Sequence, residues 1–274
     1  MIKPELETLA NELLLSRDQS RISQTPQNTA VHISLEKAYE VGQILHESLM
    51  SRGFKPAGRK IGFTNPATWE EYKVDMPIWA STYEQTNHFA ERGKFILNMG
   101  KLVAPRIEPE IMFKLSREFP KDGHSTEKIV SCLEWAAIGF EIVDCHYPEW
   151  RCSASGAVAD FGLHAGLVIG EPWLLRDLDP GMVASQLRDL RVNLSVNGKF
   201  MDEGEGKNAL GSPLLALGWL DKLLKSQSWA TNIRAGEIIT TGTLTKVPFV
   251  HSGERWAVTV SGAPLGALEL ELHD

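Results

Sequence analysis

Cysteine is scarce in this chain: three residues of 274, at positions 132, 145 and 152. That is too few for a domain built on cross-links, and the spacing matches no structural zinc motif. Long apolar runs are also missing. Nothing approaches the roughly 18 consecutive apolar residues of a membrane span. The opening MIKPELETLANELLLSRDQ alternates acidic with apolar residues, unlike a secretion signal. Positive charge is in deficit: 28 Lys plus Arg against 35 Asp plus Glu leave a formal charge of -7. No basic patch marks a nucleic-acid surface. Neither GxGxxG nor a P-loop GxxxxGK followed by Ser or Thr occurs, and the histidines form no HExxH pattern. Cys145 and Cys152 have no His at a spacing diagnostic of nucleophilic catalysis. What remains is an ordinary core-forming composition, 43% hydrophobic and 23% charged. The chain is expected in the cytoplasm, binding neither nucleic acid nor membrane.

Periodicity organises the chain. Leu6, Leu9, Leu13 and Leu14 stand at helical spacing within the first 17 residues, with Pro4 close to the start. Residues 18–33 are polar, hold Pro26 and read as a connector. A second helix fits 35–51, with Ser34 as cap and Gly53 as terminator. Residues 66–100 read as short strands and loops. Strands are expected at 110–115, 140–144 and 163–170, and a helix at 127–138. Asn197-Gly198 between two extended stretches is a strong hairpin signal. Ser212-Pro213 opens a helix to about 225, and the tail returns to strands. The stretches after residue 186, strand-only apart from that helix, favour an antiparallel or mixed sheet with outer helices, an α+β architecture. No linker forces a boundary, so 1–274 is read as one domain with 1–53 as a mainly helical region.

The chemistry-bearing residues are carboxylates. Glu108 and Glu110 flank Pro109, and residues two apart on an extended chain share a face. Pro109 lacks an amide donor and suits a strand start or edge. Glu141 lies in the apolar run AAIGFEIVDC, where a buried carboxylate needs a partner. Together the three form a plausible all-oxygen site for Mg²⁺ or Mn²⁺. On spacing alone, a solvated Glu-Pro-Glu edge and a Glu141–Arg pair stay open as alternatives. Lys60, between a glycine-bearing turn and a short apolar stretch, is oddly placed for a solubilising lysine.

The segments GRKIGFTN, RIEPEIMFKL, LEWAAIGFEIVDC, VADFGLHAGLVIG, GSPLLALGWLDKLL and RAGEIITTGTLT occur in this order. Together they resemble the 2-keto-4-pentenoate hydratase and 4-oxalocrotonate decarboxylase branch of the fumarylacetoacetate hydrolase superfamily, over roughly residues 35–272. The resemblance implies a mixed-β core of the fumarylacetoacetate hydrolase C-terminal type with outer helices. It places the metal ligands on Glu108, Glu110 and Glu141, and the family lysine on Lys60. It implies a small 2-oxo acid substrate, hydrated as a 2-hydroxy-2,4-dienoate in aromatic catabolism. The alternatives are a 4-oxalocrotonate-type decarboxylase, a carbon–carbon bond hydrolase, or a weakly active partner subunit. A homo-oligomer, and association with a pathway enzyme, are also expected. The hydrolases' His-containing water-activating motif is not found here.

Further site residues follow from the same resemblance. Asp75 and Asp160 are assigned acid–base or orienting roles, and Thr243 belongs to a segment that holds the substrate carboxylate. After Asp160 the chain departs from the family's ADNAS-like pattern with Phe161, Gly162, Leu163 and His164. Phe161, Leu163 and the aromatic stretch 69–89 predict an apolar pocket that prefers a monocarboxylate, with His164 as a pocket candidate. Arg59, Arg106 and Arg151 are the residues that folding could bring in against that preference.

Overall fold

The N-terminal apolar stripes form helices in the computed structural model, which describes residues 4–25, 33–120 and 124–274, with 68, 71 and 72 by backbone alone. Helix α1 (Pro4–Asp18) buries Leu6, Leu9, Leu13 and Leu14, the side expected from their spacing. Helix α2 (Leu35–Ser51) starts where the Ser34 hydroxyl accepts the Lys37 amide at 3.3 Å. Gly53, at φ 87°, turns the chain away. Between the helices, Glu12 accepts from the Arg21 guanidinium and the Gln24 amide, fastening the start of the connector back onto α1. Pro26 and the rest of 26–32 lie outside the described residues, as do 121–123 of the polar loop before α4.

The further α-helices among the described residues are α3 (Trp69–Tyr72), α4 (Thr126–Val130), α5 (Ala154–Ala159), α6 (Pro180–Asp189) and α7 (Pro213–Ser226). The strands are β1 (Pro56–Gly62), β2 (Ile78–Tyr83), β3 (Asn87–Phe89), β4 (Lys94–Asn98), β5 (Arg106–Leu115), β6 (Leu133–Val143) and β7 (His164–Ile169). They continue as β8 (Trp173–Leu174), β9 (Arg191–Val196), β10 (Lys199–Glu205), β11 (Ile238–Thr240), β12 (Arg255–Ser261) and β13 (Leu268–His273). One sheet runs β2-β1-β11-β5-β6-β7-β3, with β8 also pairing β6; the second runs β10-β9-β12-β13-β4. Both are mixed: β1–β11, β3–β7 and β4–β13 are parallel, and the other pairs are antiparallel. The α+β expectation holds.

Two expectations are corrected. The helix expected over 127–138 stops at Val130 as α4, and Leu133–Val143 is an 11-residue strand. Only Glu134 escapes full burial along it. A strand covered on both faces loses its period-two pattern and cannot be told from a buried helix by periodicity. The stretch beginning at 186 starts inside α6, which the strand-only reading overlooked. Its signal was Asp179-Pro180: the Asp179 carboxylate accepts the Met182 amide at 2.7 Å, and Pro180 fits the first turn. The Asn197-Gly198 hairpin forms as expected, with φ of 51° and 74° closing β9 onto β10. Ser212 caps α7 through the Leu214 amide.

The main sheet explains where the site sits. Strand β5 is central, paired with β11 on one side and β6 on the other. Side chains on one face of adjacent central strands are forced together while their outer neighbours exclude water.

Candidate active site

In the β5–β6 register Glu108 lies directly opposite Glu141, and Glu110 lies opposite Gly139. The two-residue spacing puts Glu110 on the face of Glu108, so three carboxylates converge. One oxygen from each lies within 4.8 Å of the others. Gly139 is required at its place: a Cβ there would come within 2.9 Å of the Val168 carbonyl and would run into Met112. Any side chain would wedge β6 away from its neighbours.

The two deeper carboxylates are held from outside. Glu110 Oε2 accepts the Thr240 hydroxyl and the Gly242 amide, the latter at 2.8 Å. Gly242 reaches that position at φ 92°, against the Thr64 side chain. Glu141 Oε1 meets His164 Nδ1 at 2.9 Å, and His164 Nε2 meets Thr86 Oγ1 at 3.0 Å. Lys60 enters from β1, its Nζ donating to the Gly162 carbonyl at 2.9 Å and standing 3.5 Å from Glu141 Oε2. A run of left-handed backbone presents that carbonyl: Phe161, Gly162 and Leu163 have φ of 54°, 64° and 61°. Bulky residues such as Phe161 and Leu163 are strained in this region, which is common beside functional groups.

Charge in this pocket is unbalanced. Burial pushes Glu108 up to about 7, against the pull of Lys60, and the neighbouring Glu141 adds to the rise. Burial, then Glu141 and Glu108, hold Glu110 well above the usual carboxylate range. For Lys60, burial works against the ammonium, but Glu141, Glu108 and Glu110 outweigh it and raise its pKa. His164 is lowered by burial, despite its bond to Glu141. Among the described residues, Glu110 Oε1 is buried with no hydrogen-bond partner, and buried Glu141 Oε2 has only the Lys60 ammonium at 3.5 Å. Buried carboxylate oxygens left in this state are missing a cation or protons. The donor set, three hard oxygens with ligand atoms this close, fits a divalent cation.

Glu108 and Lys60 open onto a cavity of about 660 Å³. Leu163 and Thr243 also line it, with Thr64, Asn65, Arg106, Trp150, Cys152 and Lys246 among the other walls. Glu110, Glu141 and His164 lie beneath this surface. Phe161 does not line this cavity. It faces a second one beyond β1, with the Arg17 guanidinium 4.7 Å over its ring. Asp160 is buried, accepting the His146 amide and contacting its Nδ1, each at 2.8 Å; it anchors the strained turn rather than reaching the carboxylates. Asp75 is exposed and does not line the cavity. Trp79 and Tyr83 of the 69–89 aromatic stretch line the second cavity rather than the one above the carboxylates. Arg59 is paired there with Glu237. Arg151 pairs with Glu149 in solvent.

Sequence reasoning missed several contributors. Thr240 and Gly242 hold Glu110, and Thr86 holds His164 against Glu141; Arg106, one of the three arginines the sequence allowed to reach the pocket, lies between the Trp150 and Phe249 rings at 4.2 and 4.0 Å. Thr240 carries a faint signal, a hydroxyl directly after the apolar pair Ile238-Ile239. Thr86 has none, because its role depends on the pairing of β3 with β7.

Known proteins that share this fold are numerous. The model of the fumarylacetoacetate hydrolase C-terminal family matches residues 65–272. A 2-keto-4-pentenoate hydratase of Burkholderia vietnamiensis is 29% identical over 227 residues, 82% of each chain. A 2-hydroxyhexa-2,4-dienoate hydratase of Comamonas testosteroni is 27% identical over 84% of each. Among solved structures, the 4-oxalocrotonate decarboxylase of Pseudomonas putida G7, complexed with magnesium and adipate, superposes with TM-score 0.86 at 23% identity. It covers 98% of this chain and 97% of its own. With its match over 65–272, which takes in both carboxylate strands β5 and β6, the chain belongs to the fumarylacetoacetate hydrolase C-terminal family.

Proposed function

We propose that the chain is a divalent-metal-dependent hydro-lyase of the cytoplasm, adding water to a 2-hydroxy-2,4-dienoate or its 2-oxo-enoate form. The observation that carries this reading is the convergence of Glu108, Glu110 and Glu141 beside buried Lys60 at the floor of one cavity. The hydratase names of the relatives from Burkholderia and Comamonas support it. Glu108, Glu110 and Glu141 would hold Mg²⁺ or Mn²⁺, which supplies positive charge against the carboxylate and 2-oxygen of a 2-oxo acid as negative charge develops there.

The protein's own groups do the rest. His164, Thr240 and Gly242 fix the two deep carboxylates, so the site is preorganised before substrate arrives. Lys60 stays protonated beside three acids, and the Gly162 carbonyl orients its Nζ. It therefore places a proton and a positive charge at the cavity floor, suited to protonating a substrate carbon or steadying its oxygens. Thr243 and Leu163 shape the walls around the substrate chain. Self-association belongs to the same reading, supported by exposed Phe89, Ile96, Leu174 and Phe200.

A second reading, decarboxylation of a 4-oxalocrotonate-type diacid, is favoured by Arg106 and Lys246 in the cavity wall. They are cations of the kind a remote carboxylate needs. Turnover of matched monoacid and diacid substrates with Mg²⁺ or Mn²⁺, and after chelation, tests both. Metal-dependent hydration with the monoacid preferred supports the hydratase. A tenfold diacid advantage, about 1.4 kcal/mol in transition-state binding, supports the decarboxylase, and metal-independent turnover defeats both.

A further inference from the structure

Cys145 and Cys152 take no part in the proposed reaction, yet their Sγ atoms stand 4.0 Å apart as free thiols. Cys145 is fully buried just beyond the end of β6; Cys152 is half-buried and lines the active-site cavity. The segment between them carries Glu149 and Trp150 at left-handed φ of 55° and 58°. Trp150 is a structural strut of the cavity. Its indole Nε1 donates to the Ala104 carbonyl at 2.8 Å, and its ring covers one face of Arg106 at 4.2 Å. A disulfide needs its sulfurs about 2.05 Å apart, so the pair must close by roughly half its present separation. Closing this short loop pulls on the backbone that holds Trp150.

We propose that Cys145 and Cys152 form a redox modification site, closed to a disulfide by a hydroperoxide, and that closure withdraws Trp150 from Arg106 and reshapes the cavity. The more accessible Cys152 thiolate attacks a peroxide oxygen. The O–O bond breaks, the leaving oxygen takes up a proton as alcohol or water, and Cys152 becomes a sulfenic acid. Cys145 sulfur then attacks Cys152 sulfur, the S–O bond breaks, and water leaves with the Cys145 proton. Two thiols lose two electrons and the peroxide gains them.

The test uses the full, metal-loaded chain treated with hydrogen peroxide and then with dithiothreitol. The expected result is a drop from three titratable thiols to one, and a peptide two hydrogens lighter linking Cys145 to Cys152. Hydrogen exchange across 146–151 and 103–106 should change with it and revert with reductant. These readouts need no substrate, so they stand apart from the assigned reaction. Turnover should fall roughly fivefold or more and recover with reductant, and Cys145→Ser should remove the peroxide response while keeping its reduced-state turnover. Oxidation that stops at sulfinic acid, a link through Cys132, or a 145–152 link without changed exchange in these segments would overturn the proposal.

Discussion

Lys60 shows how far a single position is decided by its neighbours. Its sequence context, a glycine turn before an apolar stretch, marks it as unusual, but its charge state comes from three carboxylates on two other strands. Replacing it with Met removes the proton and the positive charge while keeping the stem that packs in the floor. Lys60→Met should leave the fold and the bound metal in place while lowering kcat by roughly 10²–10⁴-fold. Metal titration by calorimetry, run beside steady-state kinetics, checks this; near-normal turnover would remove Lys60 from the mechanism. At this scale the sequence was partly legible. Glu108 and Glu110 could be placed on one face from spacing two apart. Glu141's partner could not, because His164 reaches it only through the pairing of β6 with β7. Asp160 resembled an active-site acid by motif, but its hydrogen bonds to His146 make it a scaffold for the turn before Leu163.

Strands and their turns set the spacing of the site. The turn after β11 is the most constrained, since the Gly242 amide holds Glu110 from a conformation a side chain resists, with a Cβ overlapping Thr64. Gly242→Ala should therefore act on the site beyond its effect on stability. The melting temperature should fall, and Mn²⁺ affinity should drop by about tenfold or more, as one hydrogen bond that orients a metal ligand is worth roughly that. Calorimetric titration of folded variant separates the two effects, and unchanged affinity would mean that Thr240 alone suffices to hold Glu110. Capped and amphipathic helices such as α2 and α7 could be read directly, because local hydrogen bonds and one apolar stripe specify them. Strand β6 could not, because burial on both faces erased its alternation.

The whole molecule feels the carboxylate cluster as a dependence of stability on pH. In the metal-free chain Glu108 is pushed up to about 7, against an ordinary value of 4.5, so between these limits the native state binds more protons than the unfolded chain. Stability then falls as pH rises from about 4.5 to about 7, with Glu110 pulling in the same direction. A bound cation replaces those protons and reverses the preference. The gain in melting temperature on adding Mn²⁺ to chelator-treated protein should therefore be larger near pH 7 than near pH 5. Equal gains at both would show that the carboxylates are not the site of binding.

The sequence alone determined what local physics can express: the capped helices, the Asn197-Gly198 hairpin, and the same-face carboxylates of β5. Its resemblance to a family pointed to the enzyme class. Tertiary structure decided everything that depends on which strands become neighbours. Strand register set Glu141 opposite Glu108, and sheet order delivered Lys60 to the same floor. Folding also turned Phe161, Trp79 and Tyr83 into a separate cavity and brought Arg106 into the site. These outcomes lie beyond local reading because pairing joins residues distant in sequence, and the energy that selects the pairing comes from burying whole faces at once.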